Sequence, residues 1–218
     1  MKNHWENKIY SKKKQLNVFP FPGIISFFKK DKFKKKSKIK ILEIGCGAGN
    51  NLIFLAREGF DVYGVDISSS AISFLKKKIK QKKLKSQIKI GNINKLDYPN
   101  NYFDYVLDRA VLTHHTNKEI SIILNETYRI LKKGGKIMSF DFFGSNIPDK
   151  KFGKKIGLNT YINFKKGNFK TVGKTSFFTF RLIKKLFNKF KILKIERIIT
   201  KNSKNLIKFE TFNLIARK

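Results

Sequence analysis

The feature that most constrains this chain is a regular alternation of short apolar runs and amphipathic stretches that begins at Ile39. The first run, 39–44 (IKILEI), ends in a glycine cluster. Comparable runs follow at 62–66, 87–91, 102–107 and 136–140. Segments such as 50–58 and 69–80 lie between them and place apolar residues at helical spacing. Strands and helices that alternate at this distance predict an α/β fold, a parallel sheet with helices on both faces.

The 218 residues are enough for one α/β domain and leave little room for a second. We expect a basic aromatic N-terminal cap, a core, a lid-like insertion and a C-terminal part: 1–38, 39–143, 144–178 and 179–218. A helix is expected in the cap around 19–30, and Ser68 or Ser69 is expected to cap the helix after the second strand. The runs 192–199 and 206–215 are adjacent in sequence, which predicts an antiparallel hairpin at the sheet edge.

The charge is strongly basic, with Lys+Arg 49 against Asp+Glu 15 and a net charge of +34. Such a balance suggests nucleic acid, an anionic surface or an acidic substrate as partner. Only six of the basic residues are Arg, and the many Lys, Asn, Ile and Phe have AT-rich codons, so genome composition explains the excess equally well. The scarcity of Arg argues against a dedicated nucleic-acid reader. The excess lies on the flanks: +11 in 1–40, +6 in 41–150 and +17 in 151–218.

Cysteine usage and hydropathy indicate the compartment. A single cysteine, Cys46, excludes an intrachain disulfide framework and a cysteine-rich zinc site, and no metal site is expected. The most apolar early segment, 19–28, contains two prolines and is far shorter than the roughly 20 residues of a membrane-spanning helix. It also lacks the cleavage pattern of a signal peptide. We therefore expect a cytoplasmic protein without a transmembrane segment.

Four of the fifteen acids lie at or beside the carboxyl ends of predicted strands: Glu43, Asp66, Asp108 and Asp141. Ligands bind at this edge in open α/β sheets. In a chain with so few acids, this placement indicates a binding site.

The glycine cluster Gly45, Gly47 and Gly49 directly follows the first strand. Small residues here let the backbone turn tightly and approach a ligand beside the free N–H groups of the next helix. A dinucleotide fingerprint would place a third glycine at position 50, where this chain has Asn50. Asp66, 21 positions beyond Gly45, can accept hydrogen bonds from the vicinal hydroxyls of a ribose. These features fit a nicotinamide or an adenosyl ligand equally well.

The combination of motifs resembles the class I S-adenosylmethionine-dependent methyltransferase family over about 39–143. The matching parts are E-x-G-x-G-x-G at 43–49, VYGVD at 62–66, GNINKLD at 91–97, NYFD at 101–104 and RILKKGGK at 129–136. More loosely, the chain is similar to the small-molecule branch typified by quinone-biosynthesis methyltransferases. The resemblance implies a Rossmann-like, doubly wound and mostly parallel seven-stranded sheet that ends in the antiparallel hairpin. It also implies S-adenosyl-L-methionine as the cofactor.

The resemblance further implies which residues hold that cofactor: Glu43, Gly45, Cys46, Gly47, Gly49, Asp66, Ile67, Asn92, Ile93 and Asp108. The glycines would line the methionine and ribose part, and Glu43 would support their loop and the methionine ammonium. Asp66 would bind the ribose hydroxyls and Ile67 would pack on the adenine. Ile93 would contribute its backbone N–H to an adenine nitrogen. Asn92 stands where many members have an Asp that accepts from the adenine amino group, and its uncharged amide is a weaker acceptor.

The residues Asp108, Arg109, His114 and His115 follow the fourth strand, where family members place groups near the transferred methyl and the acceptor. Methyl transfer from a sulfonium is an in-line displacement, so catalysis is mostly alignment, with removal of a proton for a hydroxyl or protonated amine. His114 or His115 is the candidate base, and Asp141 the candidate group that orients the acceptor. The alternative interpretation is that one histidine caps the next helix and the other is exposed.

The leading hypothesis is therefore a methyltransferase acting at oxygen, nitrogen or carbon of a small or medium-sized acceptor, for which the basic flanks suggest an anionic group. An RNA methyltransferase with backbone-binding flanks is the second hypothesis. A NAD-binding oxidoreductase or a non-catalytic Rossmann module is the third, and Asn50 argues against it. Cys46 lies in the glycine loop, so a cysteine nucleophile for cytosine carbon methylation is absent. No motif in the cap or the insertion identifies the acceptor.

Overall fold

The structure is a computed structural model that describes residues 4–14, 16–30 and 33–218. The predicted cap at 1–38 therefore has residues 1–3, 15 and 31–32 outside the described part. Within the cap, a π-helix spans Trp5–Tyr10 and α1 spans Pro22–Lys30, inside the segment predicted as helical. A short 3-10 helix, Lys36–Lys38, leads into the sheet.

The core follows the predicted alternation of strands and helices. Its elements are β1 Lys40–Ile44, α2 Asn50–Arg57, β2 Asp61–Asp66, α3 Ser69–Gln81, β3 Gln87–Ile90, β4 Phe103–Arg109, α4 Asn117–Ile130 and β5 Leu131–Phe143. Helix α3 begins as predicted after Ser68, whose hydroxyl accepts from the backbone N–H of Ala71 at 3.1 Å. Helix α4 begins with a reciprocal pair in which Glu119 accepts from the N–H of Thr116 at 2.7 Å.

The C-terminal part adds three short strands, a helix and a long hairpin. These are β6 Lys154–Lys155, β7 Thr160–Ile162, β8 Thr175–Ser176, α5 Phe180–Leu186, β9 Lys191–Lys201 and β10 Ile207–Arg217. Two further 3-10 helices span Leu112–His114 and Pro148–Phe152.

The main sheet has seven strands in the order β3-β2-β1-β4-β5-β10-β9. Strand β2 is parallel to β1 and β3, while β10 is antiparallel to both β5 and β9. The predicted Rossmann-like sheet with an antiparallel C-terminal hairpin is confirmed. A second sheet, β6-β7-β8, is antiparallel and lies within residues 144–178.

The insertion 144–178 contains more regular structure than its irregular sequence indicates. Besides its three strands it contains a buried hydrophobic cluster of Ile147, Phe164, Phe169 and Phe177, and Phe143 and Phe209 pack against this cluster from outside the insertion. The sequence shows no periodicity here because these strands have only two or three residues each.

Strand β5 differs from the prediction of a strand at 136–140. The pattern KKGG at 132–135 predicts the end of the preceding helix, but α4 already ends at Ile130 and these residues belong to β5. The ammonium of Lys132 lies 2.8 Å from both carboxylate oxygens of Asp104, and the N–H of Tyr102 donates to the carbonyl of Ile130 at 2.7 Å. These contacts with the start of β4 hold the segment extended.

The chain divides into two compact units. The first unit runs up to Leu107 and includes Ile130–Gly135, and the second consists of Asp108–Arg129 and Lys136–Lys218. In the described part of the chain no helix is long and apolar enough to cross a membrane.

Candidate cofactor and acceptor sites

The glycine loop of the first unit needs its glycines for conformational reasons. Gly45, Gly47 and Gly49 have φ values of 64°, 49° and 76°, in the left-handed region that side chains disfavour. A Cβ on Gly49 would also lie 2.1 Å from a methyl of Leu75. The loop therefore presents bare backbone after β1, as ligand binding at this position requires.

Asp66, the last residue of β2, turns its carboxylate to this loop. Its Oδ2 accepts from the N–H of Gly47 at 2.8 Å, and its Oδ1 accepts from the N–H of Ser68 at 2.9 Å. The residue is 7% exposed, and burial raises the pKa of the carboxyl although these backbone donors lower it. An ionised carboxylate has about four acceptor positions, so these backbone donors leave acceptor capacity for a ligand hydroxyl.

Glu43 is fixed inside the same unit by a second hydrogen-bonded chain. The amide of Asn51 donates to Glu43 Oε1 at 2.6 Å, and the Oδ1 of Asn51 accepts from the N–H of Phe21 at 2.8 Å. Glu43 is 3% exposed. Asn51 thus links β1, α2 and the segment before α1.

The N-terminal π-helix contributes two residues that the sequence did not single out. The carboxylate of Glu6 accepts from the hydroxyl of Ser68 at 2.6 Å, from the N–H of Ser70 at 3.2 Å and from the hydroxyl of Ser70. These hydrogen bonds lower the pKa of Glu6. Tyr10 reaches the glycine loop, because a Cβ on Gly47 would lie 2.3 Å from the tyrosine oxygen. The only sequence signal was an acid in an otherwise basic, aromatic segment.

The other residues predicted to contact the cofactor lie after β2 and β3. Ile67 is partly exposed, Ile93 is buried, and Asn92 is exposed with its Oδ1 accepting from the N–H of Asn94 at 3.0 Å.

Cys46 is buried within the glycine loop at 4% exposure. Burial raises the pKa of its thiol, and the charges of Asp66 and Glu43 raise it further. The thiol therefore stays protonated and is a poor nucleophile.

In the second unit, Asp108 is fully engaged by its neighbours. Its Oδ1 accepts from the N–H of Val111 at 2.9 Å and of Leu112 at 3.2 Å, and its Oδ2 accepts from the hydroxyl of Ser139. Burial raises the pKa of Asp108 to about 6, with a contribution from Asp141, against the effect of these donors. The carboxylate holds the turn that leads to His114.

Both histidines are buried at 7% exposure. The Nδ1 of His114 lies 3.0 Å from the carbonyl of Lys174, and the Nδ1 of His115 lies 3.0 Å from the carbonyl of Val111. Because a carbonyl only accepts, each Nδ1 carries the proton and each Nε2 is the proton acceptor of the neutral ring. The alternative in which one histidine is exposed and one caps α4 is wrong, since Thr116 and Glu119 form that cap. Burial lowers the pKa of His115.

Asp141 adopts a φ of 59° near the end of β5. Its Oδ2 accepts from Arg109 Nε at 3.0 Å, and its N–H donates to the Oδ1 of Asn213 at 3.1 Å. Burial raises the pKa of Asp141, while Arg109 lowers it. Non-glycine residues rarely adopt this conformation, so its occurrence beside a half-exposed guanidinium marks a candidate functional position.

The structure thus brings the predicted residues together in two groups. The predicted cofactor residues, Asp108 excepted, lie in the first unit, and Asp108, His114 and Asp141 lie in the second. Among the described residues, no group of three or more His, Cys, Asp or Glu side chains could hold a metal ion.

The strand order with its antiparallel last hairpin is the fold of the S-adenosylmethionine-dependent methyltransferases. Among solved structures, a protein of this class from Methanosarcina mazei matches with a TM-score of 0.74 at 24% identity, covering 92% of this chain and 99% of that one. Magnesium protoporphyrin IX methyltransferase from Synechocystis, solved with bound S-adenosylmethionine, matches with a TM-score of 0.56 at 17% identity, covering 82% and 69%.

Sequence comparison finds similarity to methyltransferases over part of the chain. Residues 41–135 match the family described as "Methyltransferase domain". Phosphoethanolamine N-methyltransferase 3 of Arabidopsis thaliana is 32% identical over 105 residues, 47% of this chain and 21% of that protein. Demethylmenaquinone methyltransferase of Listeria welshimeri is 30% identical over 128 residues, 57% of this chain and 52% of that protein. The chain thus spans about half of the second relative and much less of the first.

Proposed function

We propose that this chain is an S-adenosylmethionine-dependent methyltransferase that transfers a methyl group to a small acceptor by in-line displacement. The main observation behind this proposal is the carboxylate of Asp66, which is buried at the end of β2 and accepts a hydrogen bond from the N–H of Gly47 in the glycine loop. An acid in this place beside bare backbone suits a ligand with a ribose. The domain match over 41–135 supports the same conclusion.

The residues present fit this cofactor. The remaining acceptor positions of Asp66 suit the two ribose hydroxyls, and the left-handed glycines leave the backbone open to the methionine part. Ile67 and Ile93 offer apolar surface for adenine, and Asn92 offers an amide oxygen. The π-helix places the hydroxyl of Tyr10 next to Gly47 of the glycine loop. When bound, the cofactor supplies an electrophilic methyl group on its sulfonium.

The second unit would supply alignment and proton removal. His114 is the base in this proposal, because its Nδ1 donates to the carbonyl of Lys174 and its Nε2 is therefore the proton acceptor. Asp108 is a positioning residue, since its carboxylate accepts hydrogen bonds from the turn that carries His114 and from Ser139. Asp141, held by Arg109, orients the acceptor.

A small molecule with an anionic group is the acceptor class that we propose. The insertion 144–178 contains eight lysines and one acid, which favours a negative ligand. Phosphoethanolamine N-methyltransferase and demethylmenaquinone methyltransferase, both named for small-molecule reactions, support a small acceptor. Within this proposal, membership of the quinone-biosynthesis-like branch rests on the second of these relatives.

Calorimetry with S-adenosylhomocysteine tests the cofactor site through Asp66→Asn. An amide replaces only one carboxylate oxygen, so its NH2 would face the N–H of Gly47 or of Ser68. Losing the charged acceptor for two hydroxyls weakens binding by about 2–4 kcal/mol, roughly 30-fold to 1000-fold. Asp61→Asn, at the other end of β2, is the matched control and leaves affinity unchanged. Equal affinity of Asp66→Asn and wild type, or tighter binding of NAD than of S-adenosylhomocysteine, refutes the assignment.

Transfer of labelled methyl groups from S-adenosylmethionine tests the acceptor class. We expect label in a small acceptor and none in RNA, with more label in phosphoethanolamine, which carries an anionic group, than in a neutral demethylated quinol. We also expect His114→Gln to lower kcat without changing cofactor affinity. Label in RNA, with binding that weakens steeply as salt increases, would favour the RNA methyltransferase instead.

A further inference from the structure

A cavity of about 520 Å³ lies in the second unit, and none of the residues assigned above lines it. The start of α5 and strands β9 and β10 line it, with Phe180, Ile195 and Phe212 as apolar walls. Ser145, Asn146 and Thr179 add polar groups. Its size and its mostly apolar lining with a few polar groups are typical of small-molecule sites, which run from about 300 to 1000 Å³.

A buried carboxylate lies in the lining of this cavity. Glu210 is 1% exposed, and its Oε1 accepts from Arg197 Nε at 2.6 Å and from the amide of Asn146 at 3.1 Å. Its Oε2 accepts from the N–H of Asn146 at 2.8 Å. Gly144 leaves room for this group, because a Cβ there would lie 2.1 Å from Oε2. The acceptor capacity of Glu210 is thus directed inward, to the protein.

Arg197 is fixed by this carboxylate and is still half exposed, at 48% of its side chain. Among the described residues, its guanidinium donates only through Nε, so the N–H groups of both Nη atoms remain available. A guanidinium held at one edge presents a planar fork for a carboxylate or phosphate at the other. A lysine would also neutralise Glu210. All but six basic residues of this chain are Lys, so an arginine at this position indicates that the two Nη groups of its guanidinium bind a ligand.

We propose that this cavity binds a small organic anion, in which a carboxylate or phosphate monoester is attached to an apolar body. The Nη atoms of Arg197 hold the anion, and Phe180, Ile195 and Phe212 pack against the body. None of the residues proposed to hold the cofactor lines the cavity, so the site binds its ligand whether or not the cofactor is present.

Titration with phenylacetate and phenyl phosphate tests the proposal, with neutral phenylacetamide as the control ligand. The chain has six arginines, so the Nε–H resonances form a small set in proton–nitrogen spectra. Arg197→Lys identifies the resonance of Arg197 and retains a positive charge for Glu210. We expect a saturable shift of that resonance in wild type, the tighter of the two ligands showing which anion the site prefers. Affinity falls about tenfold in Arg197→Lys because a bidentate charged contact is lost.

Two further variants separate the anion site from the apolar wall. Arg181→Lys, at an exposed position of α5 outside the cavity lining, leaves binding unchanged. Phe180→Ala, at a side chain that is 43% exposed, weakens phenyl phosphate but not inorganic phosphate. Circular dichroism checks that each variant is folded, and saturating S-adenosylhomocysteine leaves the affinities unchanged.

Three results overturn the proposal. One is the absence of any saturable shift of the Arg197 resonance with millimolar ligand. Another is equal affinity of folded Arg197→Lys and wild type for phenylacetate. The third is binding of phenylacetamide as tight as that of phenylacetate, which would show that the anion contributes nothing.

Discussion

Replacing Glu119 by Gln tests how the strand β8 region of the insertion is held to the turn that carries His114. Glu119 Oε2 accepts from the N–H of Thr116 at 2.7 Å, from its hydroxyl at 2.8 Å and from the ammonium of Lys174. The carbonyl of Lys174 accepts from His114 Nδ1. One lysine therefore contacts both the start of α4 and the candidate base.

The pKa of Glu119 sets the size of the effect. Burial raises it, but the hydrogen bonds from Lys174 and Thr116 outweigh burial and lower the pKa of Glu119 to about 2, from 4.5. Linkage would convert this difference into about 3.4 kcal/mol at neutral pH. The side chain is 33% exposed, so solvent screening reduces the contribution to about 1–2 kcal/mol. Because the folded pKa is the lower one, this stabilisation is complete above pH 4.5 and disappears as the pH falls toward 2.

Urea unfolding of wild type and Glu119→Gln at pH 7, 5 and 3 measures this contribution. Gln keeps an oxygen for Thr116, so the variant removes the charge and preserves most of the cap. We expect a loss of about 1–2 kcal/mol at pH 7 and 5 that shrinks at pH 3. Glu126→Gln, which breaks a surface pair with Arg129 on the same helix, is the control and costs less than about 1 kcal/mol. A loss that does not change with pH, or no loss at pH 7, refutes the reasoning.

Two other substitutions have opposite expected signs. Gly49→Ala destabilises the fold by about 2–4 kcal/mol in urea unfolding, because it combines a positive φ with a clash against Leu75, whereas Gly59→Ala, with positive φ and open space, costs about 1 kcal/mol. Equal losses would contradict the packing argument. Asp108→Asn stabilises the folded protein by about 1–3 kcal/mol at pH 7 and by little at pH 4. The pKa of Asp108 is raised from 3.8 to about 6 in the folded protein, so the cost of ionising this carboxyl on folding grows as the pH rises from 3.8 to 6. The amide can still donate to Ser139, and a loss of stability at pH 7 would refute this prediction.

The succession of strands and helices along the chain was predictable because its signals are local. Apolar runs of period two, glycines after β1 and a serine at position 68 each act within a few residues. The acid at the end of β2 followed from the same rule, since parallel strands present their carboxyl ends at one edge. Local signals also caused the error at 132–135, where two glycines after a helix suggest its end. The contact of Lys132 with Asp104, 28 residues away, decided otherwise.

The contacts that hold the candidate sites were not predictable from the sequence, because they join residues that are far apart along the chain. Glu6 meets Ser68 across 62 positions, Ser139 meets Asp108 across 31, and neither pair has a spacing that a sequence pattern could reveal. The burial of His114 was also hidden. It depends on the insertion, whose two-residue and three-residue strands are too short to show a period.

The paired charges show which part of the basic composition has a structural role. Each of the fourteen acids in the described part accepts a hydrogen bond or forms an ion pair, including the exposed Asp97 with Lys89. Three of the six arginines pair with carboxylates. Codon composition can explain the many lysines throughout the chain, but it does not explain an arginine paired with a buried glutamate, as Arg197 is with Glu210. The case for an anionic ligand at the cavity therefore rests on the orientation of Arg197. We expect that neutralising an exposed lysine elsewhere on β9, such as Lys191, leaves anion binding at the cavity nearly unchanged at physiological salt, because salt screens the distant charge.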